Sequence, residues 1–431
     1  MSWQDIYHSK KTTAAEAVKV VKSGDNVFIP ISSGAPQTLI PALVDRGPEL
    51  KDVTIIHLST LGPAKYTDPE FEGHFRHLAL FIGENVRHAV NEGRADYLPV
   101  FYHEVPSLFK NEAYHLNVAM IHVTPPDEHG FCSYGVAVDA TKPAAESADI
   151  VIAEVNPNMP RTLGDSFIHV RNIDYIVPCD YDLVEYPPAE FTEVHSKITE
   201  HIAELIDDES TLQLGIGAIP EAVLTFLDNK KDLGVHTEMF SDSLIELIER
   251  GIVNCAKKTL HPGKIIATFL MGSHRLYEFV DNNPMVEFRP VSYVNDPSVI
   301  AQNNKMIAIN SALQVDFTGQ VCADSIGHKL YSGFGGQTDF IRGAAHSPDG
   351  KPIIALPATV EGRDISRIVP ELYQGGGVVT TRADVHYVIT EYGVAYLHGK
   401  SIRERVKALI NIAAPQFRDE LTAKAEEYHY I

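Results

Sequence analysis

One carboxylate interrupts a run of residues that has the pattern of a buried strand. Glu238 lies inside the stretch 234–242, directly ahead of 243–250, whose apolar residues recur at helical spacing and which Gly251 can terminate. This arrangement predicts Glu238 at a strand end or a strand-to-helix turn, where α/β proteins usually keep their sites. A carboxylate there can take part in catalysis, although a lone Glu in a strand is more often exposed or salt-bridged.

A glycine-rich segment is the second feature with chemical potential. Residues 331–343, which include Gly335 and Gly336, are predicted to form one loop whose backbone N–H groups can point at an anion or a carbonyl oxygen. A plain tight turn is the alternative interpretation. The spacing lacks the GxGxxG of a dinucleotide site and the Lys-Ser/Thr of a P-loop, so neither of those two sites is predicted.

Two further polar residues receive structural interpretations. Glu391 lies in a predicted strand beside Thr390 and Tyr392, which suit an ordinary polar face of a sheet. His236 precedes Glu238 by two positions and therefore points to the same face of a strand, but a structural histidine is the favoured interpretation. The twenty histidines contain no HExxH pattern and no other convincing ligand set, so no metal site is predicted.

The composition narrows the class of protein. With 431 residues the chain is long enough for two domains of roughly 200 residues each. Its formal net charge of −21 argues against a nucleic acid or an anionic membrane as the main partner. The N-terminal stretch lacks an apolar leader, and no run approaches the ~18 apolar residues of a membrane span, so we predict a soluble, cytoplasmic protein. Four scattered cysteines without a CxxC pair predict no disulfide framework.

The elements around these residues follow an α/β rhythm. A strand at 25–31, a glycine turn, a helix at 38–44 and a strand at 53–59 are predicted in succession. Further strands are predicted at 116–123 and 150–155. This alternation is typical of a parallel α/β sheet.

An irregular, proline-bearing stretch at 182–190 marks the predicted domain boundary. It separates an N-terminal α/β domain, residues 1–185, from a C-terminal α/β domain, residues 186–431, that carries Glu238. In the C-terminal domain, residues 375–393 are predicted to form two strands around a turn. Residues 401–404 are predicted to form a capping box that opens the last helix.

The opening pattern recurs after the boundary. Residues 212–220 lead into a helical stretch and then into the strand of Glu238, much as Pro36 leads into a helix and then into 53–59. We interpret this as a degenerate internal duplication with a period of about 180 residues, which predicts two similarly folded halves. In this alignment Glu238 falls opposite Ile56, an ordinary core residue, and this favours a special role for the carboxylate.

Several longer motifs occur in order along the chain. They are residues 156–162, 215–220, 236–242, 310–316, 333–340 and 379–386. Together they resemble the acetyl-CoA hydrolase/transferase family of CoA-transferases, and the resemblance covers essentially the whole chain. It implies two similarly folded α/β domains with the active site between them.

The resemblance also implies a chemistry for Glu238. In the family the matching Glu is the nucleophile of a ping-pong reaction that passes through an acyl-glutamyl anhydride and a glutamyl-CoA thioester. A CoA-transferase that handles short acids such as 4-hydroxybutyrate, butyrate or acetate is the function implied. Coenzyme A would be a substrate, and no permanently bound cofactor is expected.

Binding residues and partners follow from the same resemblance. The residues expected to line the CoA arm and the oxyanion position are Gly215, Ile216, Gly217, Ala218, Ile219, Leu313, Gly335 and Gly336. The expected partners are CoA thioesters, short carboxylic acids and further copies of the chain, as a homodimer or a higher homo-oligomer. The segments 31–33 and 359–364 fall where the family varies, and the acyl-binding side of the pocket is expected to be built partly from such loops.

Three other functions are weighed against transfer. An acyl-CoA hydrolase would use the same Glu238, with water as the attacking group, and the sequence does not separate the two enzymes. A CoA-binding regulatory protein without turnover has no need for a carboxylate beside a thioester. A Rossmann-type dehydrogenase is disfavoured because the GxGxxG pattern is missing.

Overall fold

The fold is known from a computed structural model that describes residues 2–111, 113–187, 189–215 and 217–431. The α-helices are α1 Trp3–Ser9, α2 Ala14–Ala17, α3 Leu39–Asp45, α4 Arg87–Asn91, α5 Val105–Lys110, α6 Thr141–Ser147, α7 Glu193–Leu205, α8 Ala218–Leu224, α9 Ser243–Glu249, α10 His274–Val280, α11 Val291–Val294, α12 Pro297–Ile300, α13 Gln337–His346, α14 Ile402–Ile412 and α15 Arg418–Glu427. Short 3₁₀ helices are Val18–Val20, Gly47–Glu49, Lys65–Thr67, Pro69–Phe71, Tyr102–Glu104, Val170–Asn172 and Pro415–Phe417.

Strands alternate with these helices along the whole chain. They are β1 Asn26–Phe28, β2 Val53–His57, β3 Phe75–Ala79, β4 Ala95–Tyr97, β5 Val118–Val123, β6 Phe131–Ser133, β7 Ile150–Val155, β8 Leu163–Gly164, β9 Phe167–His169, β10 Tyr175–Pro178, β11 Thr211–Leu214, β12 Gly234–Val235, β13 Met239–Phe240, β14 Ile265–Ala267, β15 Phe269–Leu270, β16 Val286–Phe288, β17 Met306–Ser311, β18 Gln314–Asp316, β19 Val321–Cys322, β20 Ser325–Ile326, β21 Lys329–Leu330, β22 Lys351–Ala355, β23 Ile368–Val369, β24 Tyr387–Thr390 and β25 Gly393–Tyr396.

The chain forms two compact units. The first contains the described residues up to 187 together with 240–242 and 266–294. The second contains the other described residues, in the segments 189–239, 243–265 and 295–431. The division of the chain into domains at 1–185 and 186–431 remains a prediction.

A seven-stranded parallel sheet is the centre of the first unit. Its order is β10-β7-β5-β1-β2-β3-β4, and each neighbouring pair is parallel. All six residues of β5 are buried, as are five of the six in β7. Continuous burial of this kind is typical of a parallel sheet that is covered on both faces, and it explains why these runs are apolar without alternation.

A six-stranded sheet organises the second unit, in the order β12-β11-β17-β22-β24-β25. The first five strands are parallel, and β25 pairs antiparallel with β24. The last two helices pack over an apolar cluster beside this sheet, which includes Val388, Val406 and Leu409. The capping box that opens α14 is confirmed, because the side chains of Ser401 and Glu404 cap each other's backbone N–H groups.

The internal duplication is visible in the strand orders. Five strands of the first unit, β10-β7-β5-β1-β2, follow the same sequence of neighbours as β24-β22-β17-β11-β12 of the second. This confirms two similarly folded α/β halves. The predicted correspondence of Glu238 with Ile56 is wrong, because Ile56 pairs with Phe28 inside β2, whereas β12 ends at Val235 and the chain has left the ladder before Glu238.

Two local predictions in the second unit are also wrong. The segment 331–343 is not a single loop, because α13 begins at Gln337 and buries Phe340, Ile341 and Ala344 at helical spacing. The segment 375–393 does not contain two strands, since only 387–390 forms one before the turn into β25. Within that segment, Val379 N donates to Val321 O of β19, and the Val379 carbonyl accepts from the Thr338 hydroxyl.

All four cysteines are free thiols. Three of them, Cys132, Cys255 and Cys322, are buried. Within the described part of the chain, every helix falls short of the length and apolar character that a membrane span requires.

A buried pair of histidines on adjacent strands makes the first unit sensitive to acid. The rings of His57 and His77 stack at 3.9 Å, and both side chains are buried. Burial lowers the pKa of His77 to about 4 and that of His57 well below its ordinary value. A proton therefore binds the unfolded chain more readily than the folded one between about pH 6.5 and pH 4.

We predict that the free energy of unfolding falls as the pH drops from about 6.5 towards 4, by about 3 kcal/mol for His77 alone. Urea unfolding at several pH values in this window measures the slope. His77→Asn should lower stability at pH 7.5 and flatten the slope. His129→Asn is the control, because this imidazole is exposed, and a slope unchanged by His77→Asn would contradict the prediction.

Candidate active site

The site lies at the edge of the second sheet where the parallel strands end. Glu238 follows β12 and precedes β13, in a half-buried bend. Gly215 follows the neighbouring strand β11, and Leu313 follows β17, the next strand. Because carboxyl ends of parallel strands meet at one edge of a sheet, the fold brings these three segments together, as expected of a site in an α/β protein.

The carboxylate of Glu238 is oriented by an amide. The Asn295 Nδ2 donates a hydrogen bond of 2.7 Å to Glu238 Oε2. Asn295 is fully buried, and its Oδ1 has no hydrogen-bond partner. The amino end of the amide must face the carboxylate, because the carbonyl end would place two acceptors against each other. The result is a glutamate with one oxygen fixed by a neutral donor.

Gly336 lies beside the carboxylate oxygen that Asn295 binds. It is the last residue before α13, and its carbonyl accepts the first hydrogen bond of that helix, from Phe340 N. A Cβ atom at Gly336 would overlap both Glu238 Oε2 and Asn295 Nδ2. Only a residue without a side chain allows the helix start to approach the carboxylate this closely. Gly335 precedes it with a φ of +50°, in the left-handed region.

The backbone beside Glu238 is held by the neighbouring strand. His236 N donates to Leu212 O at 3.1 Å, and the Thr237 hydroxyl lies 3.3 Å from both the N and the O of Leu214. The His236 ring is buried and packs against Phe340 of α13 at 6.2 Å between centroids. Glu238 therefore projects from a backbone that is fixed on both sides.

Besides Gly335 and Gly336, the described residues predicted to bind CoA follow two strands at this edge. Gly215 is tied to β17 through a 3.0 Å hydrogen bond from its N to Ile309 O, and Gly217 has a φ of +121° at the turn into α8. Ala218 is half-buried, Ile219 is buried in the first turn of α8, and Leu313 is half-buried with its N bonded to Cys322 O. Ile216 lies outside the described residues.

Asn295 was not predicted, and neither was a polar pair beneath the turn after β11. Asn310 Nδ2 donates to Gln213 Oε1 at 3.0 Å, and both side chains are buried. These residues come from different strands, and although Asn310 belongs to the motif 310–316, no pattern in the sequence pairs it with Gln213. Glu391, given a structural interpretation, has its Oε2 bound to Ala358 N at 2.8 Å.

One group of metal-ligating side chains lies in the first unit. His122, Glu154 and Cys179 place one ligand atom each within 4.8 Å of one another. The Glu154 carboxylate already accepts hydrogen bonds from Leu39 N and from the Tyr181 hydroxyl. Burial raises the pKa of the Cys179 thiol to about 12. These contacts favour a hydrogen-bonded structural cluster over a metal site.

Removing the Asn295 amide is predicted to slow turnover without unfolding the protein. A hydrogen bond to a charged group contributes about 1.5–3 kcal/mol, so Asn295→Ala should lower kcat/KM by roughly 10- to 100-fold. Asn295→Asp should lower it further, because two carboxylates would then face each other. Steady-state kinetics and thermal unfolding measure both effects. Equal activity of Asn295→Ala and the unchanged protein would rule out this role.

Two family models match the chain. The acetyl-CoA hydrolase/transferase N-terminal domain matches residues 1–185, and the acetyl-CoA hydrolase/transferase C-terminal domain matches residues 272–425. The second match includes Asn295, Leu313 and Gly336 but not Glu238. Together the two models cover most of the chain.

Individual relatives match over nearly full length. The 4-hydroxybutyrate coenzyme A transferase of Clostridium kluyveri is 54% identical over 98% of this chain and 98% of its own. The succinyl-CoA:acetate/propanoyl-CoA:succinate CoA transferase of Fasciola hepatica is 50% identical over 95% of this chain and 86% of its own. The solved structure of a 4-hydroxybutyrate CoA-transferase from Porphyromonas gingivalis has a TM-score of 0.85 at 38% identity, over 99% of this chain and 100% of that one.

Proposed function

The chain is a CoA-transferase of the acetyl-CoA hydrolase/transferase family, and from that premise we propose that Glu238 is the nucleophile through which it moves CoA between short carboxylic acids. The observation that carries the proposal is the contact of Glu238 with Asn295 and Gly336 at the edge of the second sheet. A carboxylate that is held in place beside the start of a helix is suited to attack a thioester carbonyl. Its position is fixed before the attack, and N–H groups at the helix start can stabilise the negative charge that develops.

In the first half-reaction a carboxylate oxygen of Glu238 attacks the carbonyl carbon of the acyl-CoA. The C–S bond breaks, CoA leaves as its thiolate, and an acyl-glutamyl anhydride remains on the enzyme. The thiolate then attacks the glutamyl carbonyl of that anhydride. The acid leaves as its carboxylate, and CoA is bound to Glu238 as a thioester.

The second half-reaction runs the same steps in reverse with another acid. Its carboxylate attacks the glutamyl-CoA thioester, which again gives an anhydride and CoA thiolate. Attack of the thiolate on the acyl carbonyl releases the new acyl-CoA and restores the Glu238 carboxylate. No proton and no water is consumed, so transfer is balanced without a metal, an oxidant or a permanently bound cofactor.

Two groups in the second unit are placed to assist. Asn295 orients the carboxylate before attack and can donate to the oxygen that becomes negative when the glutamyl carbonyl is attacked. The backbone at Gly335 and Gly336, at the start of α13, offers N–H donors for the same purpose. Gly215, Ile216, Gly217, Ala218, Ile219 and Leu313 are proposed to line the pantetheine arm.

We propose short acids as the second substrate, with 4-hydroxybutyrate or butyrate exchanging against acetyl-CoA. The support is the 54% identity to the C. kluyveri enzyme named for 4-hydroxybutyrate. The F. hepatica relative is named for succinyl-CoA, acetate and propanoyl-CoA, so small dicarboxylates belong in the same test. A cytoplasmic homodimer or higher homo-oligomer is the proposed state of the enzyme.

Hydrolysis of acyl-CoA by the same glutamate is the alternative, and acceptor dependence separates the two. The test incubates the protein with acetyl-CoA in the presence and absence of butyrate, 4-hydroxybutyrate or succinate, and follows acyl-CoA species by mass spectrometry. Transfer predicts a new acyl-CoA and a constant total of thioester. Loss of thioester at the same rate without any acid would support hydrolysis instead.

A further inference from the structure

Arg367 is fixed at the same sheet edge as the site, and the proposed reaction does not use it. Its N donates to Ala358 O, and its carbonyl accepts from Val315 N, both at 2.9 Å. Ala358 follows β22 and Val315 lies in β18, so the backbone of Arg367 is tied to the segments beyond the ends of two parallel strands. The side chain therefore starts from a fixed point.

The guanidinium is only partly satisfied. Its Nη1 lies 3.4 Å from Ala312 O, a long hydrogen bond. Its Nε is buried and has no hydrogen-bond partner. A guanidinium carries five N–H donors, and a buried donor without an acceptor costs free energy that a folded protein usually avoids. The arrangement suggests that the Arg367 guanidinium donates a hydrogen bond to an acceptor on a bound ligand.

The surrounding charges indicate what kind of acceptor this is. Burial lowers the pKa of Arg367, and the nearby carboxylates of Glu391 and Glu361 raise it by a smaller amount. Glu391 directs its Oε2 to Ala358 N. An anionic ligand bound to Arg367 would be repelled by these two carboxylates. A neutral carbonyl oxygen would accept the hydrogen bond without that repulsion.

The spacing of the strands relates the position of Arg367 to that of Glu238. Glu238 follows β12, while Ala312, the residue that Arg367 touches, follows β17, two strands away. Neighbouring strands are about 4.8 Å apart, so the ends of β12 and β17 are separated by roughly 10 Å along the edge. In the pantetheine arm of CoA, the amide carbonyl farther from sulfur is about eight bonds away from it, roughly 10 Å when extended, and the nearer one about half that.

We propose that Arg367 donates a hydrogen bond to the second amide carbonyl of the pantetheine arm, the one farther from the sulfur. The inference rests on the proposed function, because it takes the thioester to be at Glu238. It assigns Arg367 as a substrate-binding residue that recognises the arm of CoA, in addition to the residues expected from the family resemblance. The acyl group and the nucleotide are not its ligands.

Truncated thioesters test this assignment. Arg367→Gln and Arg367→Lys are compared with the unchanged protein on three donors, butyryl-CoA, butyryl-pantetheine and butyryl-N-acetylcysteamine, with acetate as the acceptor. The second lacks the nucleotide but keeps both amides, and the third keeps only the nearer amide. For Arg367→Gln we expect kcat/KM to fall about 10- to 100-fold with the first two donors and less than about twofold with the third. Arg367→Lys should retain part of the activity.

Other patterns would overturn the assignment. An equal loss with all three donors would place the contact at the acyl group or the nearer amide, or reflect a disturbed fold. A loss confined to butyryl-CoA would place it at the nucleotide, and no loss would remove Arg367 from the site. Arg403→Gln, in α14 and exposed, is the matched control. A CoA adduct on Glu238 of the unchanged protein, measured in parallel, shows whether the proposed function itself holds.

Discussion

Replacing Glu238 by alanine is expected to abolish CoA transfer while the protein stays folded. The half-buried carboxylate is the only group that the proposed reaction bonds covalently, and loss of a covalent nucleophile lowers turnover on the order of 10⁴-fold or more in well-studied enzymes. Glu238→Gln should be equally inactive, because an amide keeps the shape but is a poor nucleophile. Acceptor-dependent formation of a new acyl-CoA measures the loss, and thermal unfolding confirms the fold.

Glu246→Ala is the matched control for this prediction. Glu246 lies in α9, eight residues further along the chain, and its side chain is largely exposed. The change should leave turnover within about twofold, since surface substitutions rarely disturb a distant site. Full transfer activity in Glu238→Ala would contradict the assignment of the nucleophile, whatever the control shows.

Replacing Gly336 by alanine should be the second most damaging change. A methyl group there would overlap Glu238 Oε2 and Asn295 Nδ2, so the carboxylate or the start of α13 has to move. A displacement of about 1 Å at reacting atoms can lower a rate on the order of 10²-fold, and we expect at least that loss in kcat/KM for Gly336→Ala. Steady-state kinetics with butyryl-CoA and acetate measure it.

Gly73→Ala separates this effect from a general loss of stability. Gly73 has a φ of +80° and open space around its Cα, so alanine there is strained but meets no neighbour. We expect it to lower the free energy of unfolding by about 1 kcal/mol and to leave turnover unchanged. If Gly336→Ala lost only stability, like Gly73→Ala, the close approach of α13 to the carboxylate would have no catalytic meaning.

Much of the fold could be predicted because burial leaves a direct trace in sequence. The strands around 118–123 and 150–155 are runs of apolar residues, since both faces of a parallel sheet are covered. The repeated order of five strands was foreseen from the recurrence of a strand, a turn and a helix after the boundary. The position of Glu238 at a strand end followed from the helix behind it.

Other features could not be predicted because their cause is tertiary. Asn295 is 57 positions from Glu238 in sequence, and only the folded chain brings its amide to the carboxylate. The sequence predicts a loop at the start of α13, because glycines and polar residues precede and interrupt the apolar positions of this helix. Gly336 was expected to supply a backbone donor, but the need for a missing side chain is apparent only from its contact with Glu238.

The most direct test of the proposed function is the chemical state of Glu238 during the reaction. The protein is mixed with acetyl-CoA without an acceptor acid, quenched, digested and analysed by mass spectrometry for the peptide that contains Glu238. We predict the mass of CoA, less one water, on Glu238 in the unchanged protein and its absence in Glu238→Ala. An enzyme that transfers CoA but carries the adduct on another residue, or forms none, would contradict the central role of Glu238.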